Sequence, residues 1–229
     1  MGDEQQRHSI AAEPSLVTDA DEVARRESEN AVAQFDRMLD MVDEIARGSR
    51  PFRLRTSMIL ELHRIALDGL SAYAGNFRPS DIEIGESKHT PPKAHLVPGL
   101  IDEMCDYVMD QADKSEPLHL CAYVMWRLNW IHPFTDGNGR TSRALAYYVL
   151  CGRLGYLLPG SETVPEQIAA DRTPYYEALE DADRHWAEKR LDLSALEQLL
   201  DRCLATQLLS AYNDAKNPAA GSPRDRKLH

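Results

Sequence analysis

The chain has 229 residues, with 26 Lys and Arg against 37 Asp and Glu, a formal charge of −11 at pH 7. That balance argues against a general nucleic-acid binder, which is ordinarily basic, although it leaves room for a local basic pocket. The longest apolar run, Ala144 to Cys151, is far short of the roughly 20 residues of a membrane span, and the opening MGDEQQRHSI lacks the apolar stretch of a secretory signal.

Residues 1–13 and 214–229 are polar and read as disordered tails. Between them the pattern is helical. A first helix is predicted from Thr18 to Arg47, capped by Thr18 or Asp19 and ended by Gly48, with Val32, Phe35, Leu39 and Val42 as its apolar stripe. A second is predicted from Thr56 to Leu70, facing inward through Ile59, Leu62, Ala66 and Leu70. From Phe77 to Pro92 the rhythm breaks. Ile82-Glu83-Ile84 alternates as a strand does, Gly85 can turn, and Thr90-Pro91-Pro92 cannot be helical at its centre, so a short hairpin or extended flap is expected. Helical spacing returns at Val97, Ile101, Met104 and Val108. Further helices are predicted at Pro117–Ile131, Asn138–Leu154, Thr173–Trp186 and Leu193–Tyr212. The expected fold is an all-α bundle with one small β-hairpin flap. Cys105, Cys121, Cys151 and Cys203 are widely spaced and lie in apolar helical patterns, so buried reduced thiols and a cytoplasmic location are expected.

One segment concentrates chemistry: His132-Pro133-Phe134-Thr135-Asp136-Gly137-Asn138-Gly139-Arg140-Thr141-Ser142-Arg143. The glycines permit a tight turn and close ligand approach. A helix starts directly after it, so unpaired N–H groups point into the turn and make an anion site. Arg140 and Arg143, three apart, share a helix face beside it, an arrangement suited to a polyphosphate. Asp136 is the carboxylate such a site would offer to Mg²⁺. His132, at the end of the preceding helix, can take a proton from an attacking hydroxyl. Phe134 has no such chemistry and is expected to anchor the loop. Each feature alone is commonplace; their coincidence in twelve residues is not.

This segment resembles the signature H-[PX]-F-x-[DE]-G-N-G-R-x-x-R of the Fic family at every defined position. Asn76-Phe77-Arg78, Ile82-Glu83-Ile84 and His89-Thr90-Pro91-Pro92 look like the family's flap, Trp130-Ile131 like its pre-signature helix, and Tyr175-Tyr176-Glu177-Ala178-Leu179 like a downstream segment bordering the adenosine. The resemblance implies a Fic-like helical bundle that transfers AMP from ATP to a Ser, Thr or Tyr hydroxyl of a target protein. His132 would be the base and Asp136 the Mg²⁺ ligand. Gly137, Asn138, Gly139 and Arg140 would cradle the phosphates, and Arg143 would hold the γ-phosphate. Tyr175, Tyr176 and Asp183 would lie near the nucleoside, Asp183 standing where some relatives have Asn. Ile82, Glu83, Ile84 and Gly85 would dock the target by strand pairing. Gly139 is retained where the phosphorylating Doc branch carries lysine, which favours AMP transfer.

Many family members carry [ST]-x-x-x-E-[GN] on an inhibitory helix. Here Glu29-Asn30 fits its end, while Arg25 replaces the Ser/Thr. The resemblance therefore divides the chain into a regulatory helix at 14–50, with Glu29 inhibitory through Arg143, and a catalytic domain at 51–213. Alternatives kept open are a relative using another nucleotide or removing AMP, and a dormant nucleotide-binding adaptor. The expected partners are ATP and a target protein, without nucleic acid or membrane; association into a homodimer is left open.

Overall fold

The computed structural model describes residues 9–10, 16–85 and 87–216. Asp19 starts the first helix as expected: its backbone is extended and its carboxylate accepts from Glu22 N at 2.8 Å. α1 runs Ala20–Ala46, and Gly48 follows with φ +70°. The buried face differs from the predicted stripe. Gln34, Met38, Met41 and Val42 are buried, whereas Val32 is 61% exposed. The helix is rotated about one residue because its polar side chains also dock. Gln34 Nε2 donates to Leu62 O at 3.0 Å and Asn30 Nδ2 to Asp68 O at 2.9 Å, tying α1 to the end of α2 (Thr56–Ala66). α2 stops short of Leu70, which lies in the turns that follow.

The flap strand is a single short β2, Glu83–Ile84. Its partner is not a second flap strand. It is β1, Ser9–Ile10, paired antiparallel with Ser9 opposite Ile84 and Ile10 opposite Glu83. Residues 9–10 thus belong to a sheet where a tail was expected; the rest of residues 1–13 lies outside the described residues. After a 3-10 turn at Ala94–Leu96 come α3 (Val97–Gln111), α4 (Pro117–Ile131) and α5 (Asn138–Leu154). α4 is buried on every side from Leu120 to Leu128 and packs along α5. α1 and α2 also pack against α5, and α3 covers α4. Gly152 permits the close approach, since a Cβ there would stand 2.8 Å from the Phe52 ring and 3.2 Å from Ile45 Cδ1.

These elements form a first unit ending at Tyr156; a second begins at Leu157. In the second unit α8 (Ser194–Lys216) packs on α6 (Val164–Ala170) and α7 (Thr173–Ala187). α6 was missed in the sequence, although Thr163 and Glu166 form the capping box that announces it. Gln207, fully buried on α8, accepts from Val164 N at 3.0 Å and donates to Leu158 O and Pro159 O. The C-terminal tail reading is shortened at its start, as α8 continues to Lys216; residues 217–229 lie outside the described residues. All four cysteines are free and buried, and burial pushes the Cys105 thiol up to about 12. Among the described residues no helix is long and apolar enough to cross a membrane.

Candidate active site

α4 delivers His132. The residue caps the helix in the left-handed region, φ 49° and ψ 61°, with its N–H donating to Leu128 O at 2.9 Å. A non-glycine residue there is strained and must be held by its surroundings. Arg78 does the holding. This buried guanidinium donates from Nε to His132 O at 2.8 Å, from Nη1 to Ser80 O at 2.9 Å, and from Nη2 to Pro92 O, while its backbone N–H donates to Pro133 O at 2.9 Å. One side chain thus fastens both roots of the flap to the backbone of His132. His89 adds a second tie, its Nε2 lying 2.7 Å from Trp130 O.

The imidazole of His132 is buried, at 7% exposure, and its Nδ1 lies 3.2 Å from Asn129 O. A carbonyl can only accept, so Nδ1 carries the proton and Nε2 the lone pair. Burial pulls the pKa down to about 4, opposed by the Asn129 contact and reinforced by the nearby Arg78 guanidinium. The ring is therefore neutral at physiological pH and presents a base.

The signature loop is braced from below. Phe134 is fully buried, as expected of an anchor, and stacks on His63 with ring centroids 3.6 Å apart. Asn138 clamps the Phe134 peptide, its Oδ1 accepting from Phe134 N at 3.0 Å and its Nδ2 donating to Phe134 O at 2.9 Å. His63, fully buried on α2, accepts at Nδ1 from Gly75 N at 3.0 Å and reaches Asp136 O with Nε2 at 3.1 Å. Asn129 donates to Ser142 Oγ at 2.8 Å, and Ser142 donates to Gly139 O at 3.1 Å, locking the end of α4 to the first turn of α5. Sequence reasoning missed His63, Arg78 and Asn129 as site-building residues. Each sits on a different element, and only a buried polar character in an apolar stretch could have marked them.

Gly137 precedes α5 at φ +73°, and a Cβ there would collide with the Leu67 side chain. The first helical bond runs from Thr141 N to Gly137 O at 2.9 Å, so the N–H groups of residues 138–140 precede the ladder and face the loop. The Gly137 N–H, expected to join the phosphate cradle, is taken here by Asp136 Oδ1 at 2.6 Å. Arg143 Nη1 stands 3.2 Å from the Cβ position of Gly139, so one expected phosphate ligand lies over another. Asp136 Oδ2 accepts from Arg140 at 2.9 Å, and Arg140 also pairs with Glu27 of α1 at 3.0 Å. Asp136 is a half-exposed hard oxygen donor at a helix N-terminus, which suits Mg²⁺ held mainly by phosphate and water. Among the described residues no group of three or more His, Cys, Asp or Glu gathers as a metal site.

The remaining expected residues are placed as follows. Glu29 is 61% exposed and pairs with Arg25 at 2.6 Å; the acid that α1 brings to the loop is Glu27. Ile82 and Ile84 are buried and Glu83 is exposed, as the strand alternation required, with Gly85 at the turn after β2. Tyr175, Tyr176 and Asp183 lie on α7 in the second unit, where Tyr175 is buried and its ring centroid lies 5.8 Å from that of Tyr176.

Residues 53–150 match the model of the Fic/DOC family. The chain is 35% identical over 123 residues to the protein adenylyltransferase Fic of Drosophila willistoni, spanning 53% of this chain and 23% of that one. It is 34% identical over 94 residues to the protein adenylyltransferase fic-1 of Caenorhabditis briggsae, spanning 40% of this chain and 18% of that one. The chain thus spans about a fifth of the length of these curated relatives. Its fold is similar to the crystal structure of a Fic family protein from Desulfovibrio desulfuricans, with TM-score 0.60 and 21% identity over 90% of this chain and 57% of that one.

Proposed function

We propose, from the match of residues 53–150 to the Fic/DOC family, that the chain is a protein adenylyltransferase, moving AMP from ATP to a hydroxyl of a target protein. The observation that carries the proposal is His132, a neutral imidazole with its Nε2 lone pair, fixed one loop away from the N-terminus of α5. Its Nδ1–H is committed to Asn129, so Nε2 is the atom that removes the hydroxyl proton as oxygen attacks the α-phosphorus and pyrophosphate leaves. The N–H groups of residues 138–140 and the guanidinium groups of Arg140 and Arg143 hold the phosphates. Asp136 would hold Mg²⁺, which when bound supplies charge neutralisation on the phosphates. Most of the rate then comes from positioning and preorganised charge, which is why His132 needs its braces in Arg78 and Asn129.

The strained, buried setting of His132 favours an enzyme over a dormant binder, since binding alone requires no base. The flap residues 82–85 are assigned to target docking. The buried thiols support a cytoplasmic location.

The test is incubation of the purified chain and a cell lysate with labelled ATP, GTP, UTP and CTP. His132→Ala is expected to lower transfer by about two to four orders of magnitude while ATP binding persists. Asp136→Ala is expected to weaken ATP binding only when Mg²⁺ is supplied, read by calorimetry with and without chelator. Full transfer by His132→Ala would remove it as the base, and label from GTP alone would change the substrate.

A further inference from the structure

α8 carries two apolar faces, and the fold accounts for one of them. Leu196, Leu199, Leu200, Cys203 and Gln207 are buried and form the side that packs on α6 and α7. Ala205, Leu208, Leu209 and Tyr212 recur at i, i+3, i+4 and i+7, the spacing of a second helical stripe. At about 100° per residue this stripe lies on the opposite side of the helix from Leu196, Cys203 and Gln207. All four of its residues are exposed, Leu208 at 43%, Leu209 at 58% and Tyr212 at 55%. Single exposed leucines are ordinary on a protein surface, but a contiguous apolar stripe marks an interaction surface.

The stripe matches itself. With a second α8 laid antiparallel and the two-fold axis between positions 208 and 209, Leu208 meets the partner's Leu209. Ala205 meets the partner's Tyr212, a small side chain opposite a large one, as close packing requires. One turn further out at each end stand Asp201 and Lys216, both exposed. The same two-fold sets Asp201 opposite the partner's Lys216, so opposite charges close both ends of the contact. Lys216 already lies along the stripe, its Nζ 4.5 Å from the centroid of the Tyr212 ring. Each contact occurs twice, as an isologous interface demands. A parallel pair would instead set Asp201 against Asp201 and Lys216 against Lys216. The sequence after α8 offers no matching cover: residues 217–229, NPAAGSPRDRKLH, hold one large apolar residue, Leu228, and no apolar spacing.

We propose that the exposed face of α8 is a self-association surface, through which two copies of the chain pair as antiparallel α8 helices. No residue of the signature loop takes part, so the dimer and the transferase reading stand or fall separately. A single helix pair is small beside the roughly 800 Å² per partner of a standard interface, so the dimer is weak, with a dissociation constant on the order of 10 µM.

Sedimentation velocity of the full chain between about 1 and 100 µM is expected to show monomer passing to dimer across that range. Leu209→Glu is expected to raise the dissociation constant at least about tenfold, because it puts a carboxylate at the apolar axis. Asp201→Lys and Lys216→Asp are each expected to raise it about three- to tenfold, since each sets like charges together at two places. The double variant Asp201→Lys with Lys216→Asp is expected to return to within about twofold of wild type. All of these positions are exposed, so the packed side of α8 is untouched, and circular dichroism checks that each variant keeps its helices. Wild type that stays monomeric at about 100 µM overturns the proposal and leaves the stripe to residues 217–229 or to a foreign protein. A dimer indifferent to Leu209→Glu overturns it by placing the interface elsewhere. A double charge variant no tighter than the single ones overturns the antiparallel pairing.

Discussion

Two glycines with nearly the same backbone angle separate strain from contact. Gly48 has φ +70° with nothing within 4 Å of its Cβ position, whereas Gly137 has φ +73° and a Cβ position inside the Leu67 side chain, with His63 Cδ2 at 3.3 Å. Gly48→Ala should cost about 1 kcal/mol, the left-handed penalty alone. Gly137→Ala should cost that and roughly 1–3 kcal/mol more for overpacking, and should also displace the loop carrying His132. The check is the pair of urea midpoints set beside ATP affinity; equal destabilisation would deny that Leu67 and His63 form the floor of the loop. Residues of this kind divide by how they were announced. His132, Asp136, Gly137 and Arg140 were legible because they are contiguous, so their combination could be weighed at sight. His63 and Arg78 were not, because their partners are main-chain atoms of a loop distant in sequence, and no local pattern records a hydrogen bond to a carbonyl.

At the scale of elements, most helices were legible to within a few residues because caps and glycine stops agree with apolar spacing: Pro117–Ile131 and Asn138–Leu154 were read with the bounds the structure has. Rotation was harder to read. Apolar spacing alone put Val32 inward on α1, but Asn30 and Gln34 find carbonyls at the end of α2 and turn the helix toward Met38 and Met41. That turn bears on inhibition. It leaves Glu29 with Arg25 and brings Glu27 to Arg140, 3.0 Å apart. If an acid on α1 inhibits by competing with phosphate for a signature arginine, as the sequence led one to expect of Glu29, the contact present favours Glu27. With side-chain exposures of 23% and 48%, this pair is of the half-exposed kind, worth less than about 1 kcal/mol. Glu27→Ala is therefore expected to tighten ATP binding by about two- to fivefold, measured by calorimetry, and Glu29→Gly by less. A larger gain in Glu29→Gly would return the role to Glu29 acting on Arg143.

Over the whole molecule, the buried base ties function to acid stability. His132 has a native pKa lowered from 6.5 to about 4. The unfolded chain binds this proton as pH falls through 6.5, while the native ring stays neutral until about 4, so the unfolded state gains protons first and stability falls across that window. Above 6.5 the contribution is fully present. The loss over the window is on the order of 3 kcal/mol for a group this buried. The exposed carboxylates held below their usual range, Asp81 by the Ala94 N–H and Lys93 and Asp192 by Ser194, act in the opposite region. Their contribution persists above the ordinary carboxylate pKa and fades only at lower pH, so the two windows separate. Composition could not have shown this. A histidine at a helix end reads as a solvated cap until the left-handed turn, the Arg78 clamp and the packed end of α4 bury it. Wild type and His132→Asn, compared by urea unfolding at pH 7.5, 5.5 and 4.5, should differ by an amount that moves in the variant's favour as pH drops, because asparagine has no proton to withhold. A difference constant across those three pH values would mean that the ring is solvated in the native chain, and the neutral base would lose its physical cause.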